Sequence, residues 1–275
     1  MNKLLVIALC GLTVALVGAP AALATMQTAH SGDVSASFSF QGSFPSYTGE
    51  TLTISRAGQV LYDQPVASKQ CVSTCAPVSQ SAGQSSVRVL DLEHNGQPDV
   101  VLELFSGGAH CCGIDQVFSL DPGTMTYVET ERNFGDPGAR IEDLGHDGRY
   151  EFLTADDSFA YEFTDFAGSG LPIEILTFSG RHYKNVTRNY PKLIAADAAT
   201  WIKAFNSMAR QGYPDSVGVI AAWAADEDLL GHRKLVARYL AQQARAGHLN
   251  SALNPGGSSF VAKLQRFLRA HGYLR

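Results

Sequence analysis

Val89-Leu-Asp-Leu-Glu-His-Asn-Gly-Gln-Pro-Asp-Val-Val-Leu102 has a second copy in the chain, Ile141-Glu-Asp-Leu-Gly-His-Asp-Gly-Arg-Tyr-Glu-Phe-Leu-Thr154. Both copies read Asp-Leu-x-His-(Asn or Asp)-Gly-x-x-(Asp or Glu) and then continue into apolar residues. A weaker third copy, Asp165 to Glu174, keeps the first aspartate, the glycine and the proline. Glycine permits a tight backbone reversal, and the β-branched and apolar residues after the turn favour a strand. The repeat therefore predicts a β-region built from similar units of turn and strand.

Strand-like runs extend this β-region on both sides of the repeat. They alternate apolar and polar residues or are rich in β-branched residues, and Gly, Pro, Asn and Asp separate them. The clearest runs are Val34 to Phe40, Thr51 to Ser55, Val100 to Leu104 and Glu174 to Phe178. We therefore assign residues 25–190 to an all-β domain.

The chain changes character after Pro191, where alanine-rich segments show helical spacing of apolar residues. Glycines and prolines mark the breaks between these segments. The predicted helices are about Lys192 to Gln211, Ser216 to Leu230, His232 to Ala246 and Ser259 to His271. The fold class is accordingly α+β, with a helical bundle at 191–275 following the β-domain.

The net charge changes sign at the same boundary. Thr25 to Tyr190 contains 21 acidic and 9 basic residues, whereas Pro191 to Arg275 contains 5 acidic and 11 basic residues. This pattern predicts that the two halves face each other. In the alternative, the basic last helix binds an anionic polymer of the cell envelope or nucleic acid, through Lys263, Arg266, Arg269 and Arg275. Because no basic patch is interleaved with aromatic residues, we expect no nucleic-acid partner.

The first 24 residues have the pattern of a cleavable signal peptide. Lys3 precedes an uncharged apolar run from Leu4 to Val17, and Ala22-Leu-Ala24 is a small-x-small cleavage site. A membrane anchor is the alternative, but Gly18 and Pro20 interrupt a run already shorter than the roughly 20 residues that span a bilayer. The sequence thus predicts cleavage after Ala24 and a secreted, periplasmic or cell-envelope protein without a transmembrane segment.

The repeated turn brings oxygen ligands together in its first copy. Residues at turn positions 1, 3, 5 and 9 can converge on one point, and hard cations such as Ca²⁺ prefer oxygen ligands. The candidate calcium ligands are Asp91, Glu93, Asn95 and Asp99. In the second copy Gly145 replaces the ligand at position 3. The alternative for both copies is a turn in which the acidic side chains accept backbone N–H groups and no metal binds.

The turn followed by an apolar strand resembles the FG-GAP or VCBS-type repeats of secreted bacterial proteins and integrin α-chains. The segments Ser106-Gly-Gly-Ala-His-Cys-Cys112 and Phe159 to Leu176 are similar to those of secreted bacterial proteins of unknown function that carry such repeats. The resemblance implies propeller-like blades and, in better copies, Ca²⁺ in the loop. A closed propeller takes at least about four blades. We therefore expect a partial propeller or a sandwich-like sheet, with the helices covering its open side.

Four cysteines remain after the predicted cleavage, which removes Cys10. An even number in an exported chain predicts two disulfides. We expect them to tie the loop that begins at Cys71 to the adjacent pair of cysteines, in preference to a bridge between neighbours, and the individual pairing stays open. The cysteines are Cys71, Cys75, Cys111 and Cys112. A zinc site that also uses His110 is the alternative, although adjacent ligands fit tetrahedral geometry poorly.

No motif in the chain predicts catalysis. A nucleophile elbow and an H-E-x-x-H zinc motif are both missing from the sequence. Asp156-Asp157 is the carboxylate pair to test first, and a solvated turn is its simpler interpretation. We predict a non-catalytic binding or structural protein with an unidentified envelope or extracellular ligand. The alternatives are a calcium-binding module and a secreted hydrolase with a carboxylate and histidine site at the acidic turns, which carry His94 and His146.

Overall fold

A computed structural model of the chain describes residues 24–71, 75–78, 85–213, 215–249, 251 and 256–274. The predicted signal peptide lies outside these residues except for Ala24, which directly precedes the first strand. Within the described residues, no helix combines the length and the apolar character needed to cross a membrane.

The β-region consists of three antiparallel sheets that follow one another along the chain. The first sheet contains β1 (Thr25–Ser31), β2 (Val34–Ser43), β3 (Ser46–Arg56) and β4 (Gln59–Pro65). The second contains β5 (Ala76–Pro77), β6 (Val87–Leu90), β7 (Asp99–Gly108), β8 (Cys111–Asp121) and β9 (Thr126–Asn133). The third contains β10 (Arg140–Glu142), β11 (Glu151–Ala155), β12 (Ile173–Ser179) and β13 (His182–Asn185). Neighbouring strands pair in sequence order, except that β5 and β6 both pair with β7.

The second sheet lies between the other two. On β7, Val100 and Leu102 pack into a core shared with the first sheet, whereas Val101 points the other way into a core shared with the third. All three side chains are fully buried. A strand buried on both faces needs a continuous apolar run, and the sequence Val-Val-Leu supplies one. The first repeated turn, directly before β7, therefore leads into the middle of the β-region.

Four helices follow the sheets: α1 (Pro191–Gln211), α2 (Val217–Leu229), α3 (Arg233–Arg245) and α4 (Gly257–Ala270). Helix α2 is buried at almost every position, since its first nine residues, Val217 to Ala225, are apolar on all sides. The other helices pack against it with one apolar face each. The core that they form also contains Phe159 and Phe163, which belong to the segment between β11 and β12.

The structure confirms the predicted α+β class and all four helices, whose ends lie within two residues of the prediction. Helix α1 begins at Pro191, the first residue of the predicted helical domain. The packing nevertheless extends across this boundary, because Phe159 and Phe163 precede it in sequence and lie inside the helical core. Each of the three sheets is open.

Candidate functional site

The two copies of the acidic turn have the same backbone structure. Asp91 accepts hydrogen bonds from the N–H groups of Asn95 (2.9 Å) and Gly96 (2.8 Å). Asp143 accepts the corresponding bonds from Asp147 (3.1 Å) and Gly148 (3.0 Å). The histidines, His94 and His146, both have a left-handed backbone with φ of 53°. The first aspartate therefore organises each turn by accepting backbone N–H groups, which was the metal-free alternative for these residues.

Glu93, one of the candidate calcium ligands, forms hydrogen bonds with a distant part of the chain. Its two carboxylate oxygens accept hydrogen bonds from the Ser179 hydroxyl (2.7 Å) and the Gly180 N–H (3.0 Å). Glu93 thus fastens the first turn to the hairpin between β12 and β13. Asp99 is buried, and burial with the nearby Glu93 and Asp91 charges raises its pKa to about 7. The described residues contain no group of three or more His, Cys, Asp or Glu that could hold a metal ion.

The shared turn structure predicts a measurable cost for losing its first aspartate. We expect Asp143→Ala to lower the free energy of unfolding by about 1–2 kcal/mol, because two backbone N–H groups lose their acceptor. Urea denaturation followed by circular dichroism measures this. Glu142→Ala is the control: its salt bridge to Arg140 is exposed, and we expect a change below about 0.5 kcal/mol. Equal effects of the two substitutions would show that Asp143 does not organise the turn.

The disulfides join sequence neighbours, so the predicted link between the two cysteine pairs is wrong. Cys71 pairs with Cys75, whose Cα atoms lie 5.4 Å apart, and Cys111 pairs with the adjacent Cys112. Cys75 and Cys112 are both buried in the core between the first two sheets. The pairing leaves no thiolate for the alternative zinc site. Its fifth candidate, His110, instead lies against the ring of Phe166, with centroids 4.1 Å apart.

A cleft with two lobes lies where the third sheet meets the helices. The two cavities have volumes of about 440 Å³ and about 390 Å³, and Asp156 and Glu174 line both of them. The larger lobe lies towards β13 and the end of α4. The smaller lobe lies towards the Cys111–Cys112 disulfide and the end of β9. We call this pair of cavities the two-lobed cleft.

Asp156 is held in place by three hydrogen bonds. The Tyr273 hydroxyl donates to its Oδ2 atom over 2.7 Å. The backbone N–H (3.0 Å) and the hydroxyl (2.6 Å) of Ser158 both donate to Oδ1. Burial and the Asp156 charge raise the pKa of Tyr273 well above its ordinary value, so this hydroxyl keeps its proton and remains a donor. The last residues of the chain thereby fix a carboxylate that comes from the loop after β11.

Glu174 forms the other shared wall of the cleft. Its Oε1 atom accepts a hydrogen bond from the Asn185 side chain (3.0 Å), and its Oε2 atom lies 3.6 Å from the Arg132 guanidinium. Burial is the main reason that the pKa of Glu174 is raised, and the Asp156 charge adds to the effect. Arg132 lies over the rings of Phe134 and Tyr183, each 5.3 Å away. The cleft therefore combines closely spaced carboxyl groups with an oriented cation.

Ser158 and His271 do not form a serine-hydrolase triad with Asp156. In a triad, the histidine accepts the serine proton and the carboxylate orients the histidine. Here the Ser158 hydroxyl donates to the carboxylate itself, and the His271 Nδ1 atom lies 3.3 Å from the same hydroxyl. His271 is stacked on Phe267, with ring centroids 4.0 Å apart. The carboxylate therefore contacts the serine and not the histidine, which differs from the order of contacts in a triad.

Some of the predicted site residues meet in the cleft and others do not. Asp156, Asp157, Cys111 and Cys112 all line the smaller lobe. The four candidate calcium ligands line neither lobe. Sequence reasoning missed the residues that complete the cleft, because they come from strand and helix ends that are far apart in the chain and have no shared motif. The missed residues are Arg132, Glu174, Lys184, Asn185, His271 and Tyr273.

Comparisons with known proteins give two weak relatives. The chain is 26% identical over 149 residues to a probable thylakoid lumen protein of Synechocystis, a match that covers 53% of this chain and 44% of that protein. It is 27% identical over 134 residues to an uncharacterised protein of Sinorhizobium fredii, covering 47% of this chain and 20% of that protein. The matches thus span less than half of either relative. No family model and no solved structure matches the chain.

Proposed function

We propose that this chain is an extracytoplasmic binding protein that holds a small hydroxyl-bearing ligand, such as a sugar, in the two-lobed cleft. The observation that carries the proposal is the pair of adjoining cavities that share Asp156 and Glu174. Cavities of this size are in the range of ordinary small-molecule sites, which have roughly 300–1,000 Å³. The predicted signal peptide and the similarity to a protein named for the thylakoid lumen support a location outside the cytoplasm.

The chemistry of the cleft favours a hydroxyl-bearing ligand over a simple ion. Carboxyl groups of Asp156, Asp157 and Glu174 accept hydrogen bonds, whereas the side chains of Arg132 and Lys184 donate them. A hydroxyl group both donates and accepts, so a polyol can satisfy both kinds of group at once. A purely cationic or purely anionic ligand would leave one kind unmatched, and an unmatched polar group in a binding site costs affinity.

A substitution at Glu174 tests the proposal. The mature chain is titrated by calorimetry with a panel of neutral mono- and disaccharides, and we expect at least one to bind and to raise the melting temperature. Glu174→Gln should weaken that binding by roughly tenfold, because a charge-assisted acceptor becomes a neutral amide. Glu142→Gln, on the exposed face of β10, is the matched control and should bind like the unmodified protein. Failure of the whole panel to bind would contradict the sugar proposal.

Hydrolysis is the second candidate function, and one observation favours it. The pKa of Glu174 is raised by burial and by the Asp156 charge, and a carboxyl group with a raised pKa near a second carboxylate is the arrangement that glycosidases use. This observation favours the cleft over the acidic turns as the site of the proposed hydrolase. Chromogenic glycosides of the sugars that bind provide the test. Turnover that disappears in both Glu174→Gln and Asp156→Asn would replace the binding proposal with an enzymatic one.

Calcium binding at Asp91, Glu93, Asn95 and Asp99 stays a prediction with a test of its own. Calorimetric titration with Ca²⁺ should give heat and raise the melting temperature if the turn holds the ion. A bound cation would also lower the pKa of Asp99 from the value of about 7 that burial gives it. No heat and no change in melting temperature would remove calcium from the functional account.

We also propose that the three sheets correspond to blades of an open, FG-GAP-like propeller. The support is that each sheet contains four consecutive antiparallel strands in sequence order, as a propeller blade does. The repeated turn also occupies equivalent places in the second and third sheets, since it connects β6 to β7 in one and β10 to β11 in the other. The helices would then lie where further blades would close the ring. An experimental structure that aligns the third sheet with the second, blade on blade, would test this.

A further inference from the structure

We propose that the exposed faces of α3 and α4 form a docking surface for an acidic polysaccharide. The first observation is the charge of this part of the chain. From Gly231 to Arg275 there are eight lysines and arginines and no aspartate or glutamate. Arg233 at the start of α3 is exposed, but its charge acts on nearby Asp228. The other exposed members of this set on the two helices are Lys234, Arg238, Arg245, Arg266 and Arg269. We call these five residues the basic face.

Helical geometry brings the basic residues of α3 to one side. Lys234 and Arg238 are four residues apart, and Arg245 follows seven residues later, so at 3.6 residues per turn all three lie within roughly 40° of one another. The opposite side of α3 is buried through Val236 and Leu240. The three cations therefore form a stripe along the helix that points away from the core.

Helix α4 continues the same surface. It buries Phe260, Leu264 and Leu268, while Arg266 and Arg269 are exposed one turn apart. Leu240 of α3 and Leu264 of α4 belong to the same core cluster. A small cavity between the two helices is lined by residues of both, and Arg269 lies at its edge. The two sets of cations thus belong to neighbouring helices of one surface.

The basic face is not used to join the two halves of the protein. Between the halves, Lys263 forms a salt bridge with Glu162, with 3.0 Å between Nζ and Oε1. None of the five residues of the basic face forms a salt bridge within the part of the chain that the structure describes. The opposite charges of the two halves predicted a paired interface, yet the five cations of the basic face are exposed and form no salt bridge with the acidic half among the described residues. The positive charges of the basic face are therefore available to an external anion.

The surface chemistry favours a polysaccharide over a membrane or a nucleic acid. A helix that lies on a membrane inserts an apolar face, but the apolar faces of α3 and α4 are buried in the core. On these two helices, the large apolar side chain that the described residues expose is Leu235, at 38%. Single-stranded nucleic acids are held by exposed aromatic side chains between the cations, whereas Tyr239 and Phe267, which lie between these cations in sequence, pack against the helical core. A polymer that carries spaced carboxylate or sulfate groups requires only cations at intervals. On α3 these intervals are about 6 Å and about 10 Å along the axis.

Binding of the mature chain to immobilised polygalacturonate tests the proposal, with neutral dextran, duplex DNA and phosphatidylglycerol vesicles as parallel probes. We expect binding to polygalacturonate that weakens steadily with salt and exceeds binding to the other three. The triple variant Lys234→Gln, Arg238→Gln, Arg245→Gln should lose roughly tenfold in affinity, since each surface ion contact contributes modestly. Circular dichroism of the variant confirms that the helices remain folded.

A second triple variant separates a located surface from a general charge effect. Lys192→Gln, Lys203→Gln and Arg210→Gln remove the same charge from exposed positions of α1. We expect this control to change affinity by less than about twofold. Three outcomes overturn the proposal: equal losses in the two variants, no binding to polygalacturonate at low salt, or stronger binding to DNA or vesicles. None of these three outcomes bears on the proposal that a sugar binds in the two-lobed cleft.

Discussion

Phe163→Ala is expected to lower the free energy of unfolding by about 3–5 kcal/mol, the range for removing a large buried aromatic side chain. Phe163 is 1% exposed. Its ring lies 5.3 Å from that of Phe267 and 5.6 Å from that of Phe260, both on α4. The residue comes from the segment between β11 and β12, so its loss leaves a cavity where the β-region enters the helical core. We expect the helices to be weakened most.

Urea denaturation followed by far-ultraviolet circular dichroism and by tryptophan fluorescence measures this effect. Trp223 lies in the helical core, so fluorescence reports on the helices in particular. Tyr213→Ala is the matched control, since this aromatic side chain is 57% exposed and its removal should change stability by less than about 0.5 kcal/mol. If Phe163→Ala is as mild as the control, the segment does not contribute to the helical core.

The helices could be predicted from the sequence because their boundaries are local. Pro191 begins α1, where the missing N–H of proline is not needed. Gly212 ends α1 with a left-handed backbone, and its φ is 70°. Gly231 and Gly247, also with positive φ, follow α2 and α3. Each of these signals acts within one turn of chain, so the residues alone are sufficient to locate them.

The pairing of the cysteines shows where local signals are insufficient. The spacing of Cys71 and Cys75, and the adjacency of Cys111 and Cys112, are compatible with either local or cross-linked disulfides. The choice depends on how far apart the two loops are in space, which the packing of β5 and β8 in the second sheet determines. Because β5 and β8 both pair with β7, the sheet itself holds the two cysteine segments together. Each disulfide then forms within its own segment.

The cleft shows the same limit for function. Asp156-Asp157 could be selected from the sequence as an acidic pair, but its partners could not. Arg132 lies near the end of β9, Glu174 lies near the start of β12, and Tyr273 follows α4. Only the packing of the third sheet against the helices makes them neighbours. A repeated motif is visible in sequence because duplication copies it, whereas a site assembled from single residues of several elements leaves no such record.

Asp226→Asn is expected to stabilise the protein at pH 7, although it changes a buried residue. Asp226 lies on α2 and is fully buried. Burial, the nearby Asp197 charge and a hydrogen bond to Asp197 raise the pKa of Asp226 to about 10. The folded protein therefore keeps this proton at neutral pH. An asparagine has the same shape, stays neutral, and can donate a hydrogen bond to Asp197 as the protonated carboxyl does.

The direction of the effect follows from proton linkage. The unfolded state releases the Asp226 proton near an aspartate's ordinary pKa of about 3.9, whereas the folded state releases it near the raised value. Between these values the folded state binds more protons, so stability is fully present at low pH and declines as the pH rises. At pH 7 the free energy of unfolding is lower than at low pH by at most about 4 kcal/mol because of Asp226. Asp226→Asn removes this loss. Asp63→Asn, at an exposed position, should leave the pH dependence unchanged.

Melting temperatures measured from about pH 4 to pH 9 distinguish the two states of Asp226. We expect the curve of Asp226→Asn to lie above that of the unmodified protein at neutral pH and to meet it at low pH. A lower curve at all pH values would show that Asp226 is ionised and paired.

Asp197→Ala should instead destabilise the protein, because Asp197 accepts hydrogen bonds of 2.9 Å from the Ile173 N–H and the Trp201 indole. Since Ile173 lines the two-lobed cleft, the pair of Asp197 and the buried Asp226 connects the stability of the helices to the wall of the proposed binding site.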